Sequence, residues 1–135
     1  MIFALGGITK IQRILFALCL LGLFSCSANT QEKLDIIEVF DQFLLSNHAA
    51  SKCVKPDAET LGKFLGNFQI VTIRAAEEIR KRNPNSTNQD AQNIMKSRSD
   101  SQNQRVTEII QSGGCNDPRI QDLLKRFQIQ ASLKF

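Results

Sequence analysis

The strongest constraint on the fold is the spacing of apolar residues, which recur every three or four positions in four separate segments. No segment shows the sustained alternation of apolar and polar residues that indicates a β-strand. Short stretches that contain glycine or proline separate the segments. The segments cover about residues 30–50, 57–82, 86–112 and 117–131. Four amphipathic helices with short connections predict an all-α, antiparallel four-helix bundle.

The ends of these segments carry residues that start and stop helices. Asp57 is a good N-cap, and Asn83-Pro84 ends the second segment because the residue before a proline disfavours helix. The third segment begins at residue 86 or 87 and stops at Gly113-Gly114. Asp117-Pro118 places a cap and an N-terminal proline at the start of the fourth. The predicted boundaries therefore rest on capping chemistry as well as on periodicity.

The start of the chain has the organisation of a bacterial-type secretion signal. Lys10 and Arg13 supply positive charge ahead of an apolar run from Ile14 to Phe24. That run is too short for a membrane-spanning helix, which needs about 20 residues. A basic region, a short apolar core and small residues after it are typical of a cleaved signal peptide. We therefore expect a signal at 1–26 and one helical domain at 27–135.

The segment Leu23-Phe24-Ser25-Cys26 resembles the lipobox of bacterial lipoproteins. This resemblance covers residues 1–29 and implies that Cys26 receives diacylglycerol, a palmitate-type lipid anchor. Ser27 follows that cysteine. By resemblance to Gram-negative lipoproteins, a residue other than aspartate there implies the periplasmic face of the outer membrane. The alternative is ordinary cleavage after Ala28, which predicts an unlipidated protein that is periplasmic or secreted.

The cysteines favour one disulfide. Of the four, Cys19 lies inside the signal and Cys26 is the candidate lipid site, so Cys53 and Cys115 remain. A pair of cysteines in an exported protein favours a bridge, and two cysteines without neighbouring histidines make a poor metal site. In an up-down-up-down bundle the first and third loops lie at the same end. The predicted topology therefore brings the two residues together.

Charge and motifs exclude several functions. The chain has 17 basic and 13 acidic residues. Without the two basic residues of the signal, the excess of positive charge falls from four to two. This is too close to neutral to predict nucleic-acid binding, and no Trp or Tyr is present on which bases stack. We find no metal-ligand cluster, no nucleophile with its base and no phosphate loop, so we expect neither an enzyme nor a cofactor.

Two glycines mark a strip on the second predicted helix. Gly62 and Gly66 lie four residues apart, beside Ile70 and Ile73 and outside the main apolar face. Small residues allow another helix to approach closely. The strip is therefore either a wide internal contact within the bundle or a docking groove for a partner protein.

The middle of the third helix is unusually polar. Arg98, Gln102 and Arg105 fall on the same face as apolar residues of that helix, and charge does not enter a core without a partner. Three explanations stay open. The helix bends outwards, Arg98 meets a carboxylate near the start of the first helix such as Asp35 or Glu38, or the polar residues form a cleft that binds a small anion.

Arg80, Lys81 and Arg82 end the second helix at the tip of the central hairpin. The second and third helices are longer than the other two, so at about 1.5 Å per residue the tip is predicted to project about 10–15 Å past them. The same geometry places the tip where the first helix begins, close to a lipidated Cys26. The tip then either contacts anionic head groups or carries its charge into solvent.

His48, Glu77 and Glu78 have structural interpretations. A single histidine without a second ligand or a nucleophile makes no catalytic set, and we expect it at the edge of an apolar face. Adjacent glutamates on a helix point about 100° apart, and each has a basic residue four positions on. They predict a solvated, charged face.

The function predicted from these features is that of an exported, lipid-anchored, non-enzymatic module that binds a protein in the cell envelope. An inhibitor or an immunity protein against a toxin belongs to this class. The alternative is a carrier that holds a small ligand in a polar gap near Arg98.

Overall fold

The computed structural model describes residues 34–135. The secretion signal with Cys19, the lipobox-like Cys26 and both alternative cleavage points lie outside the described residues. Within residues 34–135 the chain forms four helices and no strand. The helices are α1 (Ile36–Cys53), α2 (Ala58–Arg82), α3 (Asn88–Gly113) and α4 (Pro118–Ser132). The predicted all-α four-helix bundle is therefore confirmed.

Side-chain oxygens cap α2, α3 and α4 at predicted residues. Asp57 and Asp117 each accept a hydrogen bond from a backbone amide in the first turn. Thr87 forms a reciprocal capping box with Asp90. These oxygens satisfy amides that have no partner inside the helix.

The predicted bounds of the first helix are wrong at both ends. The carboxylate of Asp35 accepts a hydrogen bond from the amide of Ile37, and α1 therefore begins at Ile36 rather than near residue 30. The helix also continues past Ala50 to Cys53. Both ends follow local chemistry that apolar spacing alone does not report.

α1 is the central helix and packs against each of the other three. α4 lies against α1 and α2, whereas α3 packs mainly on α1 and contacts α2 and α4 much less. Because the chain reverses at every loop, the contacting helices α2 and α4 run in the same direction. The outcome is a tight group of α1, α2 and α4, with α3 laid along the other side of α1.

Phenylalanines from three helices form the main core. The rings of Phe64 and Phe127 stack with centroids 4.2 Å apart, and the Phe43 ring lies 5.4 Å from that of Phe64. All three side chains are buried. Truncating a buried phenylalanine to alanine costs about 3–5 kcal/mol. This cluster therefore holds α1, α2 and α4 together.

Two smaller apolar clusters hold α3. At one end of the bundle, Val106 packs with residues of α1 and α4, and at the other end Ala91 packs with Ile37 and Ile79. Ala91 and Val106 are the buried residues of α3. α3 is therefore fixed near its two ends, and its polar middle lies between them.

The predicted disulfide joins Cys53, at the end of α1, to Cys115 in the loop between α3 and α4. The two Cα atoms are 5.5 Å apart, and the bridge spans 62 residues of sequence. In the chain-entropy model a loop of that length stabilises the fold by about 4 kcal/mol. The bridge fastens the loop that follows α3 to the central helix.

The tip of the α2–α3 hairpin lies beside the first turn of α1. The Arg82 guanidinium donates hydrogen bonds to the two carboxylate oxygens of Asp35, at 2.9 and 3.0 Å. One turn earlier, Ile79 packs with Ile37. The prediction that the hairpin projects about 10–15 Å past the first helix is therefore wrong. The prediction used only the lengths of the helices and did not include the contacts that hold the tip against α1.

The hairpin does extend beyond the end of α4. The side-chain amide of Asn67, in the first half of α2, donates to the backbone carbonyls of Gln130 and Leu133. α4 ends at Ser132, whereas α2 continues to Arg82. The half of the bundle nearest the tip is consequently made of α1, α2 and α3.

Candidate functional site

One side of α2 presents an apolar surface to the outside, which we call the outer face of α2. It consists of Leu61, Gly62, Leu65, Gly66 and Ile73. The three large side chains are 37%, 48% and 52% exposed. A Cβ added to either glycine meets nothing within 4 Å. Of the predicted strip, Gly62, Gly66 and Ile73 are exposed, so the interpretation as an internal helix contact is wrong at these three residues, while Ile70 is half-buried. Leu61 and Leu65 join the surface from the structure.

The outer face carries no charged residue from Leu61 to Ala76, and Arg80, one turn further on, is the first charged residue in line with it. Helical periodicity adds Gln69, Thr72 and Ala76 to it, all of them uncharged. Charged residues stand along one border, where Lys63 and Glu59 form an ion pair of 2.6 Å. An uncharged band of this kind is unusual on a helix whose other exposed positions are largely charged.

Arg98 of α3 meets a carboxylate of α1. Its guanidinium lies 3.5 Å from an oxygen of Asp41, and the two side chains are 36% and 18% exposed. Of the three explanations for the polar middle of this helix, the structure therefore shows the carboxylate partner on the first helix. That partner is Asp41 and not Asp35 or Glu38. Asp35 pairs instead with Arg82, and Glu38 is exposed.

Asp41 is only partly satisfied by this pair. Its Oδ1 is buried and has no hydrogen-bond partner among residues 34–135. Burial raises the pKa of the Asp41 carboxyl, an effect that Arg98 opposes and Asp35 reinforces. The attraction of Arg98 for the Asp41 carboxylate therefore does not fully offset the cost of burying that carboxylate between α1 and α3.

The predicted set Arg98, Gln102 and Arg105 does not form one site. Gln102 is half-buried on α3, and its side chain makes no hydrogen bond within the described part of the chain. Arg105 is exposed and lines an open groove between α3 and α4, with α1 beneath it, and neither Arg98 nor Gln102 lines that groove. The polar gap expected at Arg98 is occupied by Asp41.

The groove at Arg105, which we call the arginine groove, has a volume of about 430 Å³. Arg119, Asp122 and Arg126 of α4 line its other wall. Arg105 was predicted from the sequence, whereas the α4 residues of this groove were not. Arg119 and Arg126 are seven positions apart, a spacing that places both on one helical face and that would have revealed the wall.

His48 joins α1 to α3. Its Nε2 lies 3.0 Å from the hydroxyl oxygen of Thr107. Burial lowers the pKa of the imidazole, with a smaller contribution from Lys52. His48 is half-buried, as expected for a residue at the edge of an apolar face.

Ser46 and Gln130 form a buried polar contact between α1 and α4. The Ser46 hydroxyl donates to the side-chain oxygen of Gln130, and both residues are almost fully buried. Sequence reasoning missed this pair because Gln130 lies at the end of an apolar stripe. Because the two buried side chains hydrogen-bond to each other, the Ser46–Gln130 pair belongs to the internal packing of the bundle.

The basic tip is partly neutralised. Arg82 pairs with Asp35 and with Glu78, both at 2.9 Å. Lys81 lies 3.9 Å from the same glutamate, and Arg80 donates to Asn88. The three residues therefore remain together at the tip, with Arg82 committed to contacts inside the molecule.

Among residues 34–135, no cluster of three or more metal-ligating side chains is present. No helix of that part of the chain is long and apolar enough to cross a membrane. Comparison of the chain with models of protein families, with curated proteins and with solved structures finds no match.

Proposed function

We propose that this protein is an exported, lipid-anchored, non-enzymatic module that binds a protein partner in the cell envelope through the outer face of α2. The lipid anchor rests on the lipobox-like segment that ends at Cys26. The binding role rests on one observation, the exposure of Leu61, Leu65 and Ile73 on a single uncharged side of α2.

The grouping of these side chains supports the proposal. Scattered exposed apolar residues are normal, whereas several large apolar side chains exposed on one side of a helix mark an interaction site. Leu61, Leu65 and Ile73 lie on one oblique i, i+4 row of the helix, in which Gln69 stands between Leu65 and Ile73. The outer face is therefore long enough to receive an element of secondary structure.

The glycines indicate what kind of partner fits. Gly62 and Gly66 leave open space beside the leucines, because they contribute no side chain and a Cβ at either position meets nothing within 4 Å. A helix with large apolar side chains on one side fits such a surface, with those side chains above the glycines. We therefore propose an amphipathic helix of another protein, which buries its apolar face against α2.

The test uses the same substitution on two exposed isoleucines. Ile73→Glu places charge in the outer face, whereas Ile129→Glu places it on α4, where Ile129 is 60% exposed. We expect Ile73→Glu to abolish recovery of the partner from envelope extracts and Ile129→Glu to preserve it. Exposed substitutions of this kind usually change stability by no more than about 0.5 kcal/mol. Equal recovery by the two variants would rule the outer face out.

Lipidation has its own test. Cells labelled with palmitate are expected to incorporate label into the wild-type protein and not into Cys26→Ala. Equal labelling, or a mature N terminus at Asn29, would instead assign cleavage after Ala28 and an unlipidated protein.

A carrier role at Arg98 is the weaker proposal. Arg98 lies within reach of Asp41, which occupies the position that an anion would take.

A further inference from the structure

The arginine groove carries like charge on both of its walls. Arg105 stands on the α3 wall, and Arg119 and Arg126 stand on the α4 wall. Like charges that face each other repel, and Asp122, the acid among the residues that line the groove, offsets only part of this charge. The groove therefore keeps an excess of positive charge.

The acids near the groove do not neutralise Arg105. Asp122 is 2.8 Å from Arg126, and Asp117 is 2.8 Å from Arg119. Arg119 also holds the pKa of Asp117 down to about 2, so that carboxylate stays ionised and bound to its arginine. Arg105 makes no ion pair or hydrogen bond with any residue of 34–135. Arg105 is therefore an unpartnered guanidinium that lies across the groove from two arginines already held by acids.

The orientation of Arg126 is set from two sides. Its Nε donates to Asp122 and its NH1 donates to the side-chain oxygen of Gln42 on α1, each at 2.8 Å. A guanidinium held in this way has less freedom to lose when it binds a further group. Glu108, the other acid nearby on α3, accepts a hydrogen bond from Gln104 instead.

The floor of the groove is apolar. Leu45 of α1 and Leu123 of α4 are each 8% exposed, and the half-buried Ile109 of α3 lies beside them. A free inorganic anion would gain little from such a floor. A ligand that carries an apolar group next to its negative charge would use both features.

We propose that the arginine groove binds a small amphiphilic carboxylate, with its negative charge between Arg105 and the α4 arginines and its apolar body on Leu45, Ile109 and Leu123. Guanidinium groups recognise carboxylates through paired, charge-assisted hydrogen bonds. This site lies between α3 and α4, away from the outer face of α2. It therefore stands or fails independently of partner binding.

The experiment titrates the full chain, with its disulfide closed, with 4-phenylbutyrate and follows amide chemical shifts by NMR. Two matched probes separate the contributions. The neutral 4-phenylbutyramide keeps the apolar body, and inorganic phosphate keeps the charge. We expect the carboxylate to bind with shifts centred on Leu45, Ile109 and Leu123, and each matched probe to bind about tenfold more weakly or worse.

Two variants of similar charge change locate the site. Arg105→Gln is expected to weaken binding of the carboxylate by about tenfold. Lys96→Gln removes the same charge from the same helix, nine residues away and therefore on its opposite side. Lys96 pairs with Asp100 and is 75% exposed, and we expect this control to bind like the wild type.

Arg105→Glu provides a further readout. Glutamate at this position would face Arg119 and Arg126, so the variant is expected to fold with an undiminished unfolding midpoint while losing carboxylate binding. A lower midpoint would show that Arg105 serves the fold and would overturn the proposal. So would the absence of binding up to about 10 mM carboxylate, equal affinity for the amide or for phosphate, or unchanged binding by Arg105→Gln.

Discussion

Gly62 and Gly66 lie in the interior of a long helix, where glycine is a poor residue. Each loses more backbone freedom on folding than alanine does, which costs about 0.5–1 kcal/mol. Neither glycine is required by a positive φ or by a close neighbour among the described residues. The proposed function gives a reason for this cost, since a partner helix needs the space above them.

We predict that Gly66→Ala raises the free energy of unfolding by about 0.5–1 kcal/mol and weakens partner binding. Chemical denaturation and a binding assay measure the two effects. Gly114→Ala is the matched control, because Gly114 has a φ of 71° and ends α3. It is expected to destabilise the fold. A destabilised Gly66→Ala would indicate that Gly66 has a packing role.

Asp41 yields a second prediction at a single residue. Burial raises its pKa in the folded protein above the ordinary value of 3.8. The folded state therefore takes up the proton before the unfolded chain does, and the ionised carboxylate disfavours folding at neutral pH. We predict that Asp41→Asn is more stable than the wild type at pH 7, even though Arg98 loses its partner.

The pH dependence checks the sign of this prediction. As the pH falls through the folded pKa of Asp41, the wild type becomes neutral there, and the advantage of the variant is expected to shrink. Unfolding midpoints of both proteins between pH 7 and pH 3 would measure it. Glu38→Gln, at an exposed carboxylate of the same helix, is expected to differ little from the wild type. A variant less stable than wild type at pH 7 would mean that the ion pair with Arg98 outweighs burial.

At the level of helices, local chemistry was enough to predict most of the elements. Asp57, Thr87 and Asp117 cap helices because each oxygen lies within reach of nearby amides, a property of adjacent residues. The start of α1 was missed because the cap at Asp35 was not recognised. Leu34 is the single apolar residue between Thr30 and Asp35, so apolar spacing does not define that end of the helix. Periodicity identifies a helix better than it identifies the ends of that helix.

Contacts between helices were predicted less well, for a physical reason. The sequence indicates which face of α3 carries Arg98, but the partner depends on how α3 crosses α1. Asp41 is about one helical turn from the expected Glu38, and a small change in the crossing angle between α3 and α1 is enough to exchange one for the other. The arginine groove was missed for the same reason, since it arises from the separation of α3 and α4.

α3 also has a testable consequence for local stability. Its buried residues, Ala91 and Val106, lie near its ends. Segments with few buried apolar contacts open more readily than the core. We predict that amides of residues 97–104 exchange with solvent faster than those of residues 40–50 in α1. Equal protection in hydrogen-exchange measurements would mean that α3 opens only together with the whole bundle.

For the whole molecule, the cysteines carried the most information. Cys53 and Cys115 were expected to meet because an up-down-up-down chain places the first and third loops at one end, and the bridge confirms this topology. The sequence did not predict which helices lie next to one another around the bundle. Apolar stripes show that a helix is buried on one side but do not name the helix that covers it. The sequence therefore marked the strip on α2 but left open whether another helix covers it, and the structure shows Gly62, Gly66 and Ile73 exposed.

We predict that a Cys53→Ser/Cys115→Ser variant loses about 4 kcal/mol of unfolding free energy. The loss arises because the unfolded chain is no longer closed into a loop of 62 residues. Denaturation with and without a reducing agent measures it. Reduction is expected to destabilise the wild type by a similar amount and to leave the variant unchanged. A wild type that is insensitive to reduction would show that the bridge contributes little.

The central claim is that a partner protein covers the outer face of α2, and photo-crosslinking inside cells tests it most directly. A photoreactive side chain at position 73 lies in that face, and one at position 129 is similarly exposed on α4. We predict that irradiation joins the protein to one discrete partner from position 73 and not from position 129. The absence of an adduct from position 73, or the same adduct from both positions, would contradict the claim.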